Sequence, residues 1–310
     1  MKILVTGGAG YLGSVLCEHL LQAGCQVTVV DSLIYQQNSL FTLCANRNFE
    51  FCHGDARDES VMQRLIAQAD VIIPLAALVG APACDRDPSF ARSVNLGAVQ
   101  LVKRLRSPSQ LVVYPTTNSG YGTKTGDVFC TEDTPLEPIS LYGQTKTQAE
   151  QELLESPNVI TLRLATVFGM SPRMRLDLLV NHFVYAAATD GYIVIFEKDF
   201  KRNYIHIRDV ADCFHYAIEN SRRMIGRPYN VGLDAANLSK EELALKVKDS
   251  VANFYIHFSE VGADPDKRNY IVSNQRLREA GFEAKRSLED GIQELLKGYR
   301  MMGRSQFKNA

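Results

Sequence analysis

The sequence has no CxxC pair, and its seven cysteines are scattered along 310 residues. An odd number of dispersed cysteines suits neither a disulfide framework nor a zinc cluster. The six histidines form no HxxxH or HExxH motif, so the sequence predicts no metal site. We interpret the cysteines as reduced thiols that mostly contribute to packing.

The chain also has no excess of charge of either sign, because 34 Lys and Arg face 35 Asp and Glu, for a net charge of -1. It therefore lacks the global positive field that would hold nucleic acid or an anionic membrane. The longest apolar run, "LLVNHFVYAAA", is interrupted by Asn181 and His182. We predict a cytoplasmic protein with neither a membrane span nor a secretory signal.

Short β-rich segments alternate with amphipathic helical segments through the first half of the chain, from "KILVTG" to "VITLRLA". Strict alternation predicts parallel strands joined by right-handed crossovers, hence an α/β fold with a Rossmann-type doubly wound sheet. No Gly/Ser/Pro-rich linker follows. We predict a nucleotide-binding domain over 1–169 and a smaller α/β substrate-binding lobe over 170–310, with elements near 204–232 returning to the first domain.

The segment "TGGAGYLG" places Gly7, Gly10 and Gly13 between a predicted strand and a predicted helix. Gly7 permits a tight turn, Gly10 permits close approach of the backbone to a pyrophosphate, and Gly13 permits close helix–strand packing. Asp31 ends the second strand, 18 residues after Gly13, where a carboxylate accepts hydrogen bonds from an adenosine ribose. Together these residues predict a dinucleotide site.

The carboxylate of Asp31 would repel a 2'-phosphate, and no arginine follows it in "DSLIYQQN". The sequence therefore favours NAD over NADP as cofactor. Asp55, in "HGDARD" after the third strand, either reaches the adenine or forms a turn with its own backbone.

Tyr142 and Lys146 in "YGQTK" are four residues apart, which puts both side chains on one face of a helix. A phenol loses its proton near pH 10, so a tyrosine base at neutral pH needs about 3 pH units of help, or roughly 4 kcal/mol. A lysine ammonium and an oxidised nicotinamide are suitable sources. This spacing alone is also common on surface helices.

The chain resembles the extended short-chain dehydrogenase/reductase family in its nucleotide-sugar epimerase/dehydratase branch. The resemblance spans almost the entire chain and is carried by "TGGAGYLG", Asp31, "GDARD", "LAA" at 75–77, Asn95, Thr117 with "GYG", Tyr142 with Lys146, "RLATVFG" and "RNYIHIRDV". It implies that Thr117 hydrogen-bonds the reacting sugar hydroxyl, that Tyr142 removes its proton, and that Lys146 binds the nicotinamide ribose. The other cofactor-binding residues that it implies are Tyr11, Leu12, Ala56, Leu75, Ala76, Ala77 and Asn95.

The resemblance also implies that arginines hold the diphosphate of a nucleotide-sugar substrate, and Arg202 and Arg268 match those positions. Arg173 and Arg175 in "SPRMR" are our own additional candidates, although a solvated basic face explains them nearly as well. Thr166 stands where many relatives have an asparagine that meets the sugar or phosphate. Homodimerisation is expected by analogy, through helices near 89–106 and 140–155.

The positions after Thr117 depart from the dehydratases, which carry an Asp-Glu pair there to eliminate water. The Asn118 amide is not a useful acid or base, and Ser119 is a poor one. We therefore predict that these two residues contact the substrate and that the protein does not dehydrate it. Lys124 or Cys84 are the alternative sources of the missing group. Ser119 also replaces the cysteine of C3 or C5 epimerases, for which we place no convincing partner.

Two simpler reactions remain, C4 oxidation alone and C4 epimerisation with permanently held NAD. The combination of "TTNSGYG", "SPRMRLDLLVN", "FKRNYIHIRDV" and "DPDKRNYIVSN" resembles bacterial capsule-sugar members that oxidise C4 of a GDP-linked heptose. That oxidation is our specific prediction. A non-catalytic dinucleotide sensor is disfavoured, because a binding protein has no use for an activated phenol beside a nicotinamide.

Overall fold

The computed structural model describes residues 1–124, 129–260 and 269–302. Its strands are β1 (Lys2–Thr6), β2 (Gln26–Asp31), β3 (Phe49–His53), β4 (Val71–Pro74), β5 (Leu111–Thr117), β6 (Phe129–Cys130), β7 (Val159–Leu164), β8 (Thr166–Phe168), β9 (Tyr192–Phe196), β10 (Lys201–His206), β11 (Arg227–Val231), β12 (Asn237–Ser239), β13 (Tyr255–Ser259) and β14 (Ile271–Val272). Its α-helices are α1 (Tyr11–Gln22), α2 (Glu59–Ile66), α3 (Ala81–Arg86), α4 (Pro88–Arg92), α5 (Ala98–Leu105), α6 (Leu141–Leu154), α7 (Leu179–Thr189), α8 (Ile207–Glu219), α9 (Ser221–Met224), α10 (Lys240–Ser250), α11 (Gln275–Glu279) and α12 (Leu288–Tyr299).

A seven-stranded sheet forms the centre of the fold, in the order β11-β7-β5-β4-β1-β2-β3. All of its neighbouring strands pair in parallel. The strand order runs outward in both directions from β1, so the predicted α/β fold with a doubly wound parallel sheet is confirmed. The change in direction opens a crevice at the carboxyl ends of the strands.

Both faces of this sheet are buried, which explains why its strands are nearly continuous runs of Val, Ile and Leu. Ile3 and Val5 of β1 belong to one hydrophobic cluster, with α1 and α8, whereas Leu4 belongs to a second, with α2, α5 and α6. Burying a large aliphatic side chain contributes about 1.5–3 kcal/mol. The alternation along β1 therefore fastens helices to both faces.

The remaining strands form smaller sheets, β12-β10-β8, β13-β9 and β14-β6. The predicted domain division at 169/170 stays a prediction. β11 lies in the large sheet, and the hydrophobic cluster under α1 includes residues from both sides of that boundary. In the ranges described, no helix is both long and apolar enough to cross a membrane.

The helix expected near 89–106 is interrupted in the structure. A π-helical stretch over Ser93–Gly97 separates α4 from α5. Such a stretch widens one turn by a residue and is frequent near functional sites. Here it contains the buried Asn95.

Candidate active site

A cavity of about 500 Å³ opens at the carboxyl ends of β1, β2, β4 and β5. It faces the loops that follow these strands. Its lining includes most of the predicted cofactor and substrate residues, namely Gly7, Gly10, Tyr11, Leu12, Gly13, Asp31, Asp55, Ala56, Leu75, Ala76, Ala77, Thr117, Tyr142, Lys146, Thr166, Arg173, Arg175 and Arg202. Residues spread over 196 positions of the sequence therefore meet in one crevice.

The glycine loop packs closely against neighbouring backbone. Gly7 has φ of +69°, and a Cβ there would lie 2.7 Å from the Ala76 backbone. A Cβ on Gly13 would lie 2.6 Å from the Gly8 Cα, which shows how closely the start of α1 packs on the loop. The helix begins at Tyr11 with no side chain capping its N-terminus. Its free N–H groups are suited to the oxygens of a pyrophosphate.

Asp31 both faces the cavity and fixes the loops around it. Its Oδ2 accepts a hydrogen bond from the Ala9 N–H at 2.9 Å, and its Oδ1 accepts one from the Leu33 N–H at 2.8 Å. Because each oxygen keeps a further lone pair, the carboxylate can still accept hydrogen bonds from ribose hydroxyls. The same negative charge disfavours a 2'-phosphate.

The structure shows the turn at Asp55, and its predicted contact with the adenine stays a prediction. The carboxylate lines the cavity and also accepts the Arg57 backbone N–H at 2.8 Å, closing a turn. The Arg57 side chain hydrogen-bonds the same group and lowers the pKa of Asp55. The Arg57 guanidinium in turn lies over the Phe90 ring, 4.7 Å from its centroid.

Asn95 lies behind the cavity wall and does not line the cavity. Its Oδ1 accepts the Leu78 N–H at 2.8 Å, and its Nδ2 donates to the Leu78 carbonyl at 3.0 Å. Leu78 follows the lining segment 75–77. The amide therefore holds that wall in place, and its predicted contact with the cofactor stays a prediction.

Thr117, Tyr142 and Lys146 all line the cavity. Thr117 ends β5, and its Oγ1 lies 2.9 Å from the Ser119 Oγ. The other two lie on α6, whose N-terminus is capped when the Ser140 hydroxyl accepts the Gly143 N–H at 3.1 Å. This cap begins the helix two residues before the tyrosine and so sets which face it presents.

The Lys146 ammonium lies in a buried environment. Its Nζ is 4.0 Å from the centroid of the Tyr114 ring, and the residue is 4% exposed. Burial lowers the pKa of Lys146 to about 7, and the charge of Glu150 opposes that change. Glu150 is itself held by Arg163, whose Nε and Nη2 donate to its Oε1 at 2.9 and 2.6 Å.

Replacing Lys146 by methionine is expected to remove one pH dependence of stability. Lys146 has a pKa of about 7 in the folded protein, against about 10.4 unfolded. Between these values the unfolded chain binds a proton that the folded chain does not, so the free energy of unfolding rises with pH. Cofactor-free wild type should gain about 2 kcal/mol over Lys146→Met between pH 7 and 9.

Urea unfolding of both proteins at pH 7, 8 and 9 measures this difference. Lys248→Met, at an exposed position of α10, serves as the control and should follow the wild type. A constant difference between wild type and Lys146→Met over the interval would show that the lysine pKa is not depressed.

Arginines from the loop after β8 and from β10 also line the cavity. The Arg173 guanidinium lies over the Tyr35 ring, 4.7 Å from its centroid. Arg175 forms a bidentate pair with Asp177, and its charge interacts electrostatically with Tyr142. Arg202 is 5% exposed. Arg268 lies outside the described residues.

Sequence reasoning missed two of these groups, Tyr35 and Asp177. The only signal for Asp177 was its spacing of two residues from Arg175, which is common on loops. Tyr35 carried none, because its contact with Arg173 joins residues 138 positions apart.

Asn118 and Ser119 are not placed in the cavity. They begin a 3₁₀ turn, are 0% and 1% exposed, and do not line the cavity. Cys84 is fully buried, donates to the Leu78 carbonyl at 3.2 Å, and has its pKa raised by burial to about 11. Lys124 pairs with Glu137 at 2.6 Å and lies outside the cavity lining.

The junction after β8 is fastened to the start of α1. The Tyr11 hydroxyl donates to the Gly169 carbonyl at 2.8 Å, and the Asn181 Nδ2 donates to that hydroxyl at 3.1 Å. The Ser171 hydroxyl donates to the Tyr11 carbonyl at 2.7 Å and lies 3.0 Å from the Ser14 hydroxyl. This lock between 169–171 and α1 couples the glycine loop to the segment that carries the arginines.

Known proteins are similar to this chain over the region that contains these residues. A family model described as the NAD dependent epimerase/dehydratase family matches residues 3–232. The low-salt glycan biosynthesis protein Agl12 of Haloferax volcanii is 29% identical, over 94% of this chain and 96% of that protein. The CDP-paratose 2-epimerase of Salmonella typhi is 26% identical, over 95% and 98%. A solved UDP-glucose 4-epimerase of Thermotoga maritima, with UDP-glucose, is 25% identical and superimposes with a TM-score of 0.84 over 97% and 99%.

Proposed function

We propose that this chain, which belongs to the NAD dependent epimerase/dehydratase family, oxidises C4 of the sugar in a nucleotide-diphosphate sugar. Its homologues are enzymes that act on nucleotide sugars, and its cofactor is NAD. Our best assignment of the substrate is GDP-D-glycero-D-manno-heptose or a related GDP-sugar, in bacterial surface-polysaccharide biosynthesis.

The observation that carries this proposal is the composition of the cavity lining. It offers a hydroxyl, a phenol and an ammonium from Thr117, Tyr142 and Lys146. The nearby carboxylate of Asp177 is committed to Arg175, whose hydrogen bond holds the pKa of Asp177 low despite burial. A carboxylate that stays ionised cannot serve as a general acid at neutral pH. Simple oxidation of an alcohol needs no such acid.

The three side chains have separate tasks in that oxidation. Lys146 brings positive charge to the Tyr142 face of α6, which favours the phenolate. Arg175 adds a second cation within electrostatic reach of the phenol. The phenolate takes the proton of the C4 hydroxyl as the C4–H bond breaks, and Thr117 orients that hydroxyl by hydrogen bonding. NAD, when bound, accepts the hydride.

Dehydration is not part of the proposal. The residues in place of the dehydratase Asp-Glu pair, Asn118 and Ser119, lie outside the cavity lining, and so do both alternatives, Cys84 and Lys124. None of these four residues is therefore placed to release a C6 hydroxyl. Trapping a 4-keto-6-deoxy sugar would refute this part.

The second candidate is C4 epimerisation with tightly held NAD. It is favoured by the similarity to the Thermotoga maritima UDP-glucose 4-epimerase, and it uses the same three residues. Several parts of the proposal are the same for either reaction. Arg173, Arg175 and Arg202 bind the diphosphate, and Thr166 contacts the sugar. The protein is cytoplasmic and forms a homodimer.

Incubation with NAD and a panel of GDP-, UDP-, CDP- and dTDP-sugars tests the proposal. We expect a GDP-sugar to give net reduced cofactor, or turnover that depends on an added keto-acid acceptor, with a 4-keto product. A new isomer without net redox change would identify an epimerase instead. No change in any sugar or in cofactor absorbance would contradict both reactions.

A further inference from the structure

Tyr114 is a fully buried tyrosine of β5 that lies directly beneath Lys146. Its ring centroid is 4.0 Å from the Lys146 Nζ, and its relative exposure is 0%. Tyr114 does not line the cavity, so it touches neither substrate nor cofactor there. It belongs to the hydrophobic cluster that holds α6 against the sheet. Its ring therefore forms the floor on which the ammonium rests.

The hydroxyl of Tyr114 does not explain the tyrosine. Within the described residues it is buried and has no hydrogen-bond partner. A buried hydroxyl without a partner costs stability. The feature that benefits the site is then the aromatic face of Tyr114. The negative electrostatic potential of that face attracts a cation, most strongly where water is excluded.

We propose that Tyr114 is a positioning residue for Lys146. The ring face of Tyr114 fixes the Lys146 ammonium and favours its protonated form. This inference rests on the proposed function, in which Lys146 supplies the positive charge that lowers the pKa of Tyr142. A neutral or displaced amine would lose that effect. The strand residue thus acts on the reaction through the lysine alone.

The groups around Lys146 come from four elements. Tyr142 and Glu150 lie one turn before and one turn after it on α6, and Tyr114 faces it from β5. Arg163 on β7 neutralises Glu150 through two hydrogen bonds to one carboxylate oxygen. Arg175, after β8, acts on the Tyr142 end. With Glu150 already paired to a cation, the ring is the contact that directly meets Nζ.

Trace labelling with acetic anhydride over a pH series measures this effect without a substrate. Only the neutral amine reacts, so labelling of Lys146, followed by mass spectrometry in the cofactor-free full chain, titrates its ammonium. Tyr114→Phe keeps the ring and removes the unpaired hydroxyl, and we expect its midpoint to match the wild type. Tyr114→Leu removes the ring, and we expect its midpoint to fall by about one pH unit.

Exposed Lys248 is the internal control and should titrate identically in all variants. A wider cavity raises the extent of labelling, and water that enters it would raise the midpoint, because less burial raises an ammonium pKa. The expected fall therefore has the opposite sign from a cavity effect. If Tyr114→Leu fails to fold by circular dichroism, Tyr114→Met, which also lacks a ring, gives the same comparison. An unchanged Lys146 midpoint in the folded variant without a ring overturns the proposal.

Turnover then separates this inference from the proposed function. With the active nucleotide sugar, kcat of Tyr114→Leu should be on the order of tenfold below that of Tyr114→Phe at pH 8, with its high-pH limb moved to lower pH. A shifted Lys146 midpoint in a protein that is inactive on every sugar supports the positioning role and contradicts the proposed function. An active enzyme with an unshifted midpoint does the reverse.

Discussion

Replacing Tyr142 by phenylalanine is expected to lower kcat by about 10²–10⁴-fold, because the proposed reaction loses the group that takes the hydroxyl proton. The ring remains, so the packing of α6 and the walls of the cavity are preserved. Affinity for NAD and the thermal unfolding midpoint should therefore stay close to those of the wild type. The measurement is single-turnover and steady-state kinetics with the active sugar, together with a cofactor titration.

Tyr255→Phe is the matched control, since this tyrosine of β13 is 64% exposed and does not line the cavity. Its kinetics should equal those of the wild type. Retention of more than a tenth of the turnover by Tyr142→Phe would remove the phenol from the mechanism.

Replacing Glu150 by glutamine is expected to lower the free energy of unfolding by about 3–5 kcal/mol, because it leaves the Arg163 guanidinium buried without its counter-charge. The pair is nearly inaccessible, with side chains 6% and 1% exposed. Since a domain is stable by only about 5–15 kcal/mol, this loss is a large share of the total. Urea unfolding with the linear extrapolation measures it.

Two comparisons sharpen this experiment. Removing both charges, as in Glu150→Leu with Arg163→Met, should recover much of the loss, because no unpaired charge remains. Glu155→Gln breaks the Lys103–Glu155 pair at the end of the same helix, where Glu155 is 71% exposed, and should cost less than about 1 kcal/mol. Equal effects of Glu150→Gln and Glu155→Gln would show that burial does not govern the cost.

The pattern of the sequence predicted the large sheet well. β1, β2 and β4 are short apolar segments bounded by turn residues, and buried parallel strands have that pattern because helices cover both faces. The Gly7, Gly10 and Gly13 spacing predicted the cofactor end, since a tight turn and a close helix leave glycine alone room to fit. These are local constraints, and local sequence records them.

Other features of the site could not be predicted from periodic patterns in the sequence. The direction of Asn118 and Ser119 is set by a 3₁₀ turn that begins where β5 ends, so their neighbour Thr117 reaches the cavity and they do not. The π-helical stretch around Asn95 arises where that amide meets the Leu78 backbone. Neither feature leaves a periodic pattern. The turn is local, with the Ser119 N–H bonded to the Thr117 Oγ1, whereas the π-helical stretch accompanies a hydrogen bond between residues 17 positions apart.

The lock between 169–171 and α1 limits how freely the two ends of the crevice can be exchanged among relatives. A glycine loop grafted from another enzyme would bring its own groups in place of Tyr11 and Ser14, and the hydroxyls and carbonyls at Gly169 and Ser171 would lose their partners. Chimaeras joined within this region should therefore transplant residues 11–14 and 169–181 as one set. The proposed substrate-binding arginines and the glycine loop are in this sense inherited together.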